Sequence, residues 1–351
     1  MSVFDASCPL PIETYERIVL GHGSGGRMSA ELIERVFLPA FQSSVLDELE
    51  DQALLAVPGA PGVRLAVTTD AFVVRPLFFP GGDIGKLAIC GTVNDLAVGG
   101  AIPRAVTAAF VLEEGLLLAD LERVVRSMAR AAAELGVEVV AGDTKVVERG
   151  KGDGIFVTTT GIGWVPAGRR LSIADAEPGQ RLLVSGTIGD HGIAILSLRE
   201  GLEFETALVS DCAGLSHLTQ AMLEVYPSIR AMRDPTRGGL SGVTQELATR
   251  SDVGVVLDER ALPVRSEVRA ACELFGLDPL YVACEGRLVA VVPAEDAEGL
   301  LALMRAHPLG RDAAIVGEVV AEHPGVVTMR SRYGAERIVP QLSGEQLPRI
   351  C

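Results

Sequence analysis

The sequence predicts an α/β (α+β) protein of two domains, and three observations carry that reading. Of its 351 residues, 48% are hydrophobic and 22% charged, enough to bury one large core or two of ordinary size. Aromatic side chains make up only 4% while Ala, Val, Leu and Gly abound, so the interior is expected to be aliphatic strands against close-packed helices. Strand and helix periods alternate along the chain and start afresh after a polar stretch at 166–178.

Taken in order, a short strand at Glu16–Leu20 is expected to run into the glycine turn Gly21–Gly26, followed by an amphipathic helix over Met28–Phe41. Val63–Thr69 reads as a buried strand, Ile84–Val98 as a helix and Val106–Leu112 as a strand. Leu118–Leu135 reads as a long helix stopped by Gly136, and Val137–Ala141 and Ile155–Val165 as two more strands. Beyond the break, strands are expected at Arg181–Ser185, Val253–Leu257, Leu288–Val292 and Ala314–Val320, with a last pair around 326–339. Helices are expected around Ile193–Leu198, Ser216–Val225, Gly239–Thr249 and Ser266–Leu274. The division that follows is an N-terminal segment with the glycine loop (1–42), an N-terminal domain (43–166), a C-terminal domain (178–339) and a tail (340–351). That tail is polar, holds two prolines and has no period, and fully extended it reaches about 40 Å at roughly 3.3 Å per residue.

A net charge of −15 argues against nucleic acid and anionic membranes as partners, since both are held by Lys and Arg. No apolar run is long enough to span a bilayer and the first residues lack the pattern of a signal peptide, so a cytoplasmic protein is expected. Six cysteines, at 8, 90, 212, 272, 284 and 351, show no CxxC spacing and no paired histidines, which suggests neither a zinc site nor a disulfide framework.

Gly21, Gly23 and Gly26 match GxGxxG, read either as a phosphate-cradling loop or as a tight structural turn, because the acidic residue of a dinucleotide site is missing. Gly81–Lys86 does not have Walker spacing. Asp51, Asp70, Asp95 and Asp143 follow strands or open loops; gathered at one sheet edge they would bind Mg²⁺ with substrate phosphates, although each reads equally as a cap. Two glycine-bearing loops, Ser185–Gly192 and Arg233–Gly239, lead into helices whose first amides favour anions, with Asp190 or Thr236 as plain N-caps the alternative. Lys145 and Glu285 are isolated charges in apolar or glycine-rich surroundings, and His22 and His191 lie beside glycine loops, where most histidines are structural.

Gly21-His-Gly-Ser-Gly-Gly26, Thr68-Thr-Asp70, Phe78-Phe-Pro-Gly-Gly82, Ile84 to Asp95, Gly142-Asp-Thr-Lys-Val146, Ser185 to Gly192, Asp234-Pro-Thr-Arg-Gly-Gly239 and the ending Leu347-Pro-Arg-Ile-Cys351 together resemble the HypE family of hydrogenase maturation proteins. The match runs from about residue 15 to the last residue. Arg27 and the Asp-Pro-Thr of 234–236 are minor variations on the family pattern. The resemblance implies the PurM-like fold shared with aminoimidazole ribonucleotide synthetase and selenophosphate synthetase. In that fold the N-terminal domain binds ATP and dimerises, and a mobile tail follows the C-terminal domain. It implies that a carbamoyltransferase, HypF, loads Cys351, that ATP-dependent dehydration makes a thiocyanate, and that cyanide passes to iron held by a HypC–HypD complex.

By the same resemblance Cys351, Glu285 and Lys145 are the catalytic candidates, Glu285 as base and Lys145 as the group polarising the carbamoyl oxygen or γ-phosphate, with the two roles exchangeable. ATP is expected at Gly23, Ser24, Gly25, Asp70, Asn94, Asp95, Gly142, Asp143, Thr144, Asp190 and Asp234, and Mg²⁺ at Asp51, Asp70, Asp95 and Asp143. A terminal carboxylate beside the Cys351 thiol raises its pKa, so activation is expected from the partner's site. Two rivals remain at this point: a small-molecule synthetase of the same superfamily, indifferent to loss of the tail, and a non-catalytic carrier in which ATP only controls docking.

Overall fold

The computed structural model describes residues 17–201, 208–342, 347 and 349–351. It opens on a 3₁₀ turn at Leu20–Gly23 and a helical run made of α1 (Arg27–Leu32), a π turn (Ile33–Phe37) and α2 (Leu38–Phe41). Pro39 accounts for the π turn: its ring crowds the carbonyl one turn back, and the Leu38 N–H reaches instead to the Ile33 carbonyl. The strand expected at Glu16–Leu20 is a misreading over its described part, since Arg17–Val19 joins no ladder and Leu20 starts the 3₁₀ turn; Glu16 lies outside the described residues. The glycine loop therefore does not follow a strand, and the dinucleotide-fingerprint context is absent.

The N-terminal domain comprises β1 (Ala53–Ala56), β2 (Arg64–Phe72), the short pair β3 (Phe78–Phe79) and β4 (Gly82–Asp83), α3 (Ile84–Val98), β5 (Ile102–Glu113), α4 (Leu118–Leu135), β6 (Glu138–Val147) and β7 (Ile155–Val165). Its sheet runs β1-β2-β7-β5-β6, with β5 and β6 parallel and joined through α4. Asp83 caps α3 by accepting from the Gly85 and Lys86 amides at 2.8 and 3.1 Å. Gly85 lets α4 come close, for a Cβ there would lie 2.4 Å from the Val124 carbonyl. The helix α4 stops where Gly136 turns left-handed at φ 66°. β6 was expected to end at Ala141; it continues to Val147 because it pairs with β5 throughout, so tertiary pairing overrides the turn-forming Gly142-Asp143-Thr144.

The C-terminal domain comprises β8 (Arg181–Val184), α5 (Asp190–Glu200), α6 (Ser216–Val225), β9 (Ala231–Arg233), α7 (Gly239–Arg250), β10 (Gly254–Asp258), α8 (Ser266–Phe275), β11 (Val289–Val292), α9 (Ala294–Ala306), β12 (Ala314–Val320), β13 (Val327–Arg330) and β14 (Glu336–Ile338). Its mixed sheet runs β14-β13-β10-β12-β8-β11-β9 and has a core on each face. The two-residue strand period sorts them: Leu182, Val184, Val289 and Val291 face one core, Leu183, Ala290 and Val292 the other. The core of the N-terminal domain is not closed by its own residues alone, because Ile195, Cys212, Ala283 and the tail residue Ile350 complete it. Among the described residues no helix is long and apolar enough to cross a membrane.

Candidate active site

Three carboxylates converge where the domains meet. Asp51 comes from the turn before β1, Asp95 from α3 and Asp234 from the loop after β9, and one oxygen of each lies within 4.8 Å of the others. The Thr68 hydroxyl on β2 braces two of them, 2.7 Å from Asp95 Oδ2 and 2.8 Å from the Asp51 carbonyl. Two residues along β2, Asp70 accepts from Thr92 at 3.2 Å. Arg233, buried, pairs with Asp51 and, at 2.9 Å, with Glu246. Burial pushes the Asp95 carboxyl well up, and Asp70, Asp234 and Asp51 add to it. Asp234 is pushed up to about 8, first by burial and then by Asp51. Carboxylates that repel one another in so small a space suit a hard divalent cation with oxygen ligands, and Mg²⁺ fits this donor set.

Glu285 lies beside them, buried to 2% exposure, and its Oε1 has no hydrogen-bond partner among the described residues. Burial raises its carboxyl far above the ordinary range, helped by Asp234, Asp211 and Asp70. Its backbone is tied down: the Glu285 N–H donates to Asp211 Oδ1 at 3.1 Å. Arg287 lies between Asp211 and Asp190 at 3.6 and 3.5 Å. Asp190, expected on the nucleotide, is thus engaged by Arg287, Thr187 and Arg265. Asn94 likewise spends its side chain on the domain junction, donating to the Ala213 carbonyl at 3.0 Å and accepting from the Leu215 N–H at 2.7 Å.

The glycine turn Gly21–Gly26 and the loop Arg233–Gly239, far apart in sequence, touch. Arg237 donates to the Gly23 carbonyl at 3.2 Å, and Gly25, at φ 74°, is packed so closely that a Cβ would come within 2.8 Å of Arg237 Cβ. The amides of Gly25 and Gly26 are taken by Ser29 and Ser24, at 2.9 and 3.2 Å, so here the loop spends them on its own turn. Between the loops lies a cavity of about 80 Å³, lined by Gly23, Ser24, Arg237, Gly238 and the tail, Cys351 included. The tail expected to be mobile is docked: the Cys351 and Arg349 carbonyls accept from the Val73 and Arg75 amides at 3.0 and 3.1 Å.

Asp143 and Lys145 stand apart from this group. They pair with each other at 3.3 Å on β6, the exposed edge strand, with side chains 64% and 72% exposed. Backbone and Lys145 contacts hold the Asp143 carboxyl below its usual range, the Thr144 amide contributing most. Gly142 sits there because a Cβ would come within 2.4 Å of the Ala108 carbonyl. Within one chain Asp234 completes the carboxylate group expected to include Asp143. Three supporting residues escaped sequence reasoning: Arg233, Arg237 and Asp211. The first two had a signal, both charge signs on the short loop Arg233-Asp-Pro-Thr-Arg237; Asp211 had none.

Residues 49–165 match the family model of the AIR synthase related protein N-terminal domain, and residues 177–330 that of the C-terminal domain. A carbamoyl dehydratase HypE from Cupriavidus necator is 57% identical over 343 residues, covering 98% of this chain and 97% of its own. A solved HypE–HypF complex superposes with a TM-score of 0.84 at 48% identity, covering 89% of this chain and 99% of that one. A HypE structure in complex with ATP gives 0.80 at 46% identity, covering 95% of this chain and 100% of that one.

Proposed function

This chain belongs to the HypE family of carbamoyl dehydratases, within the AIR synthase-related proteins, and from that premise we propose that its substrate is a carbamoyl group carried on its own Cys351. The observation that carries the proposal is that Cys351 lines the cavity between Gly23-Ser24 and Arg237-Gly238, whose Arg237 charge also acts on Asp70 and the buried Glu285. The carbamoyl oxygen is a poor leaving group until it takes the γ-phosphoryl of ATP. The C–O bond then breaks, phosphate departs, and loss of two nitrogen protons leaves S–C≡N, so thiocarbamate and ATP become thiocyanate, ADP and phosphate. Mg²⁺ held by Asp51, Asp95 and Asp234, with Asp70 adjacent, would offset charge on the transferred group.

Glu285 takes one nitrogen proton and the departing phosphate takes the other. Burial, with Asp234, Asp211 and Asp70 nearby, gives its carboxylate a higher proton affinity than a solvated glutamate's. Arg237, whose charge acts on both Glu285 and Asp70, borders the cavity and orients the phosphates. Lys145 and Asp143 serve the site of a second copy, in a dimer formed along the exposed sheet edge where Val139, Val140 and Val146 face outward. HypF loads the thiol, and cyanide leaves to HypC–HypD-bound iron for the hydrogenase, all in the cytoplasm; the HypE–HypF complex of a relative supports the first step.

Intact-protein mass spectrometry tests the scheme with HypF, carbamoyl phosphate and ATP. The wild type is expected to gain one carbamoyl group and then lose one water; Cys351→Ala gains nothing; Glu285→Gln and Lys145→Ala stop at the carbamoylated form. ATP hydrolysis with no adduct on any of them would transfer the reading to a synthetase acting on a free substrate.

A further inference from the structure

The docked tail is gripped from both domains. Its carbonyls at 349 and 351 accept from the Arg75 and Val73 amides of the N-terminal domain. The intervening Ile350 carbonyl turns the other way and lies 2.6 Å from His191 Nε2 on α5 of the C-terminal domain. His191 is fully buried, edge-on to Phe79 with centroids 5.5 Å apart, and its Nδ1 lies 2.7 Å from Ser210 Oγ. A carbonyl only accepts, so Nε2 carries the proton; burial keeps the ring neutral, which leaves Nδ1 to accept from the Ser210 hydroxyl. Ser210 Oγ in turn accepts the Cys212 N–H at 3.1 Å. The relay Cys212, Ser210, His191, Ile350 therefore fixes both the ring's orientation and its tautomer. Farther along the same helix, Arg199 donates to the Arg349 carbonyl and, at 2.5 Å, to the Arg75 carbonyl.

We propose that His191 is a positioning residue for the dehydration: by holding the carbonyl of Ile350, the residue before Cys351, it sets how far the Cys351 sulfur reaches into the cavity between Gly23, Ser24 and Arg237. The contact is to backbone and fixes the position of Ile350 relative to Cys351 without reading a side chain. Its catalytic consequence rests on Cys351 being the carrier; the docking itself does not.

The test measures docking without any chemistry. In His191→Phe the Val73 and Arg75 amides are expected to exchange hydrogen faster, and Cys351 alkylation, read by peptide mapping, to rise about tenfold for the loss of one buried hydrogen bond. Once loaded, that variant dehydrates more slowly while its loading by the transferase is kept. His191→Gln, which retains an N–H of similar reach, restores protection. Because a buried ring is being replaced, melting curves accompany each variant. Should the Phe variant not fold, nitrogen-15 spectra of the unaltered chain decide: a slowly exchanging His191 Nε2 proton must vanish when residues 347–351 are removed. Unchanged exchange and alkylation in a folded Phe variant, or an Nε2 proton that survives the truncation, overturns the inference. A wild type that takes up no carbamoyl group would sink the dehydratase reading and leave the docking results to stand or fall alone.

Discussion

Asp234 carries a proton that an unfolded chain would release. Its carboxyl titrates near 8 in the fold, raised first by burial and then by Asp51, against about 4 when unfolded. Between those values the folded state binds the extra proton, so stability falls as pH rises. His191 works the other way: mainly burial lowers it to about 4, so its contribution grows as pH rises to about 6.5 and is constant above. From about 6.5 to 8 the raised carboxyls act unopposed by it. Melting of the metal-free protein is expected to drop across that interval, and either Asp234→Asn or added Mg²⁺ to flatten the drop. An equal drop in Asp234→Asn would remove Asp234 as its source. At this scale the sequence grouped Asp51 with Asp95 but set Asp143 where Asp234 stands, because only contacts between distant segments bring Asp234 to the other two.

Among the elements, the glycine loop is the most exacting. Gly25 combines φ 74° with a neighbour, Arg237 Cβ, too close for any side chain, so Gly25→Ala has both a left-handed backbone and a collision to accommodate. The left-handed backbone alone costs about 1–2 kcal/mol, and ATP affinity measured by calorimetry is expected to fall about tenfold. Gly168→Ala, at φ 80° with nothing within 4 Å, shares the strain without the collision and should leave affinity unchanged. Helix α4 was legible from apolar spacing and the Gly136 stop, since both signals are local, whereas α3 is buried on nearly every side and carries no apolar stripe. The strand expected before Gly21 and the early end given to β6 were misread for one reason: pairing partners lie elsewhere in the chain, and short apolar or glycine-bearing runs do not reveal them. The tail had no pattern because much of its docking runs through its own main-chain oxygens, which every sequence possesses, and Ile350 is the one apolar side chain it buries among the described residues.

For the whole molecule, the informative surface is β6, exposed along almost its entire length and carrying Val139, Val140 and Val146 outward. An uncovered edge of that kind invites a second copy. Under the proposed dimer, Lys145 of one chain serves the thiol of the other, and this can be scored by mixing two dead variants. Lys145→Ala and Cys351→Ala chains, refolded together in equal amounts, should recover about a quarter of wild-type dehydration, since half the dimers are mixed and each holds one complete site. No recovery from verified mixed dimers would mean that Lys145 acts within its own chain.

The covalent attachment of the docked tail also removes a familiar quantity from the kinetics. Under the proposed chemistry the reacting group never diffuses to the protein, so dehydration is first order, has no Michaelis constant for the carbamoyl group and does not slow on dilution. The local concentration of a tethered group on a short linker is in the millimolar range. A free mimic of the loaded cysteine would have to exceed that to compete, which makes the ATP side the weaker point for any inhibitor. Throughput then depends on how often the tail can be released to its partners, and a chain that bound its own end too well would be a slower enzyme.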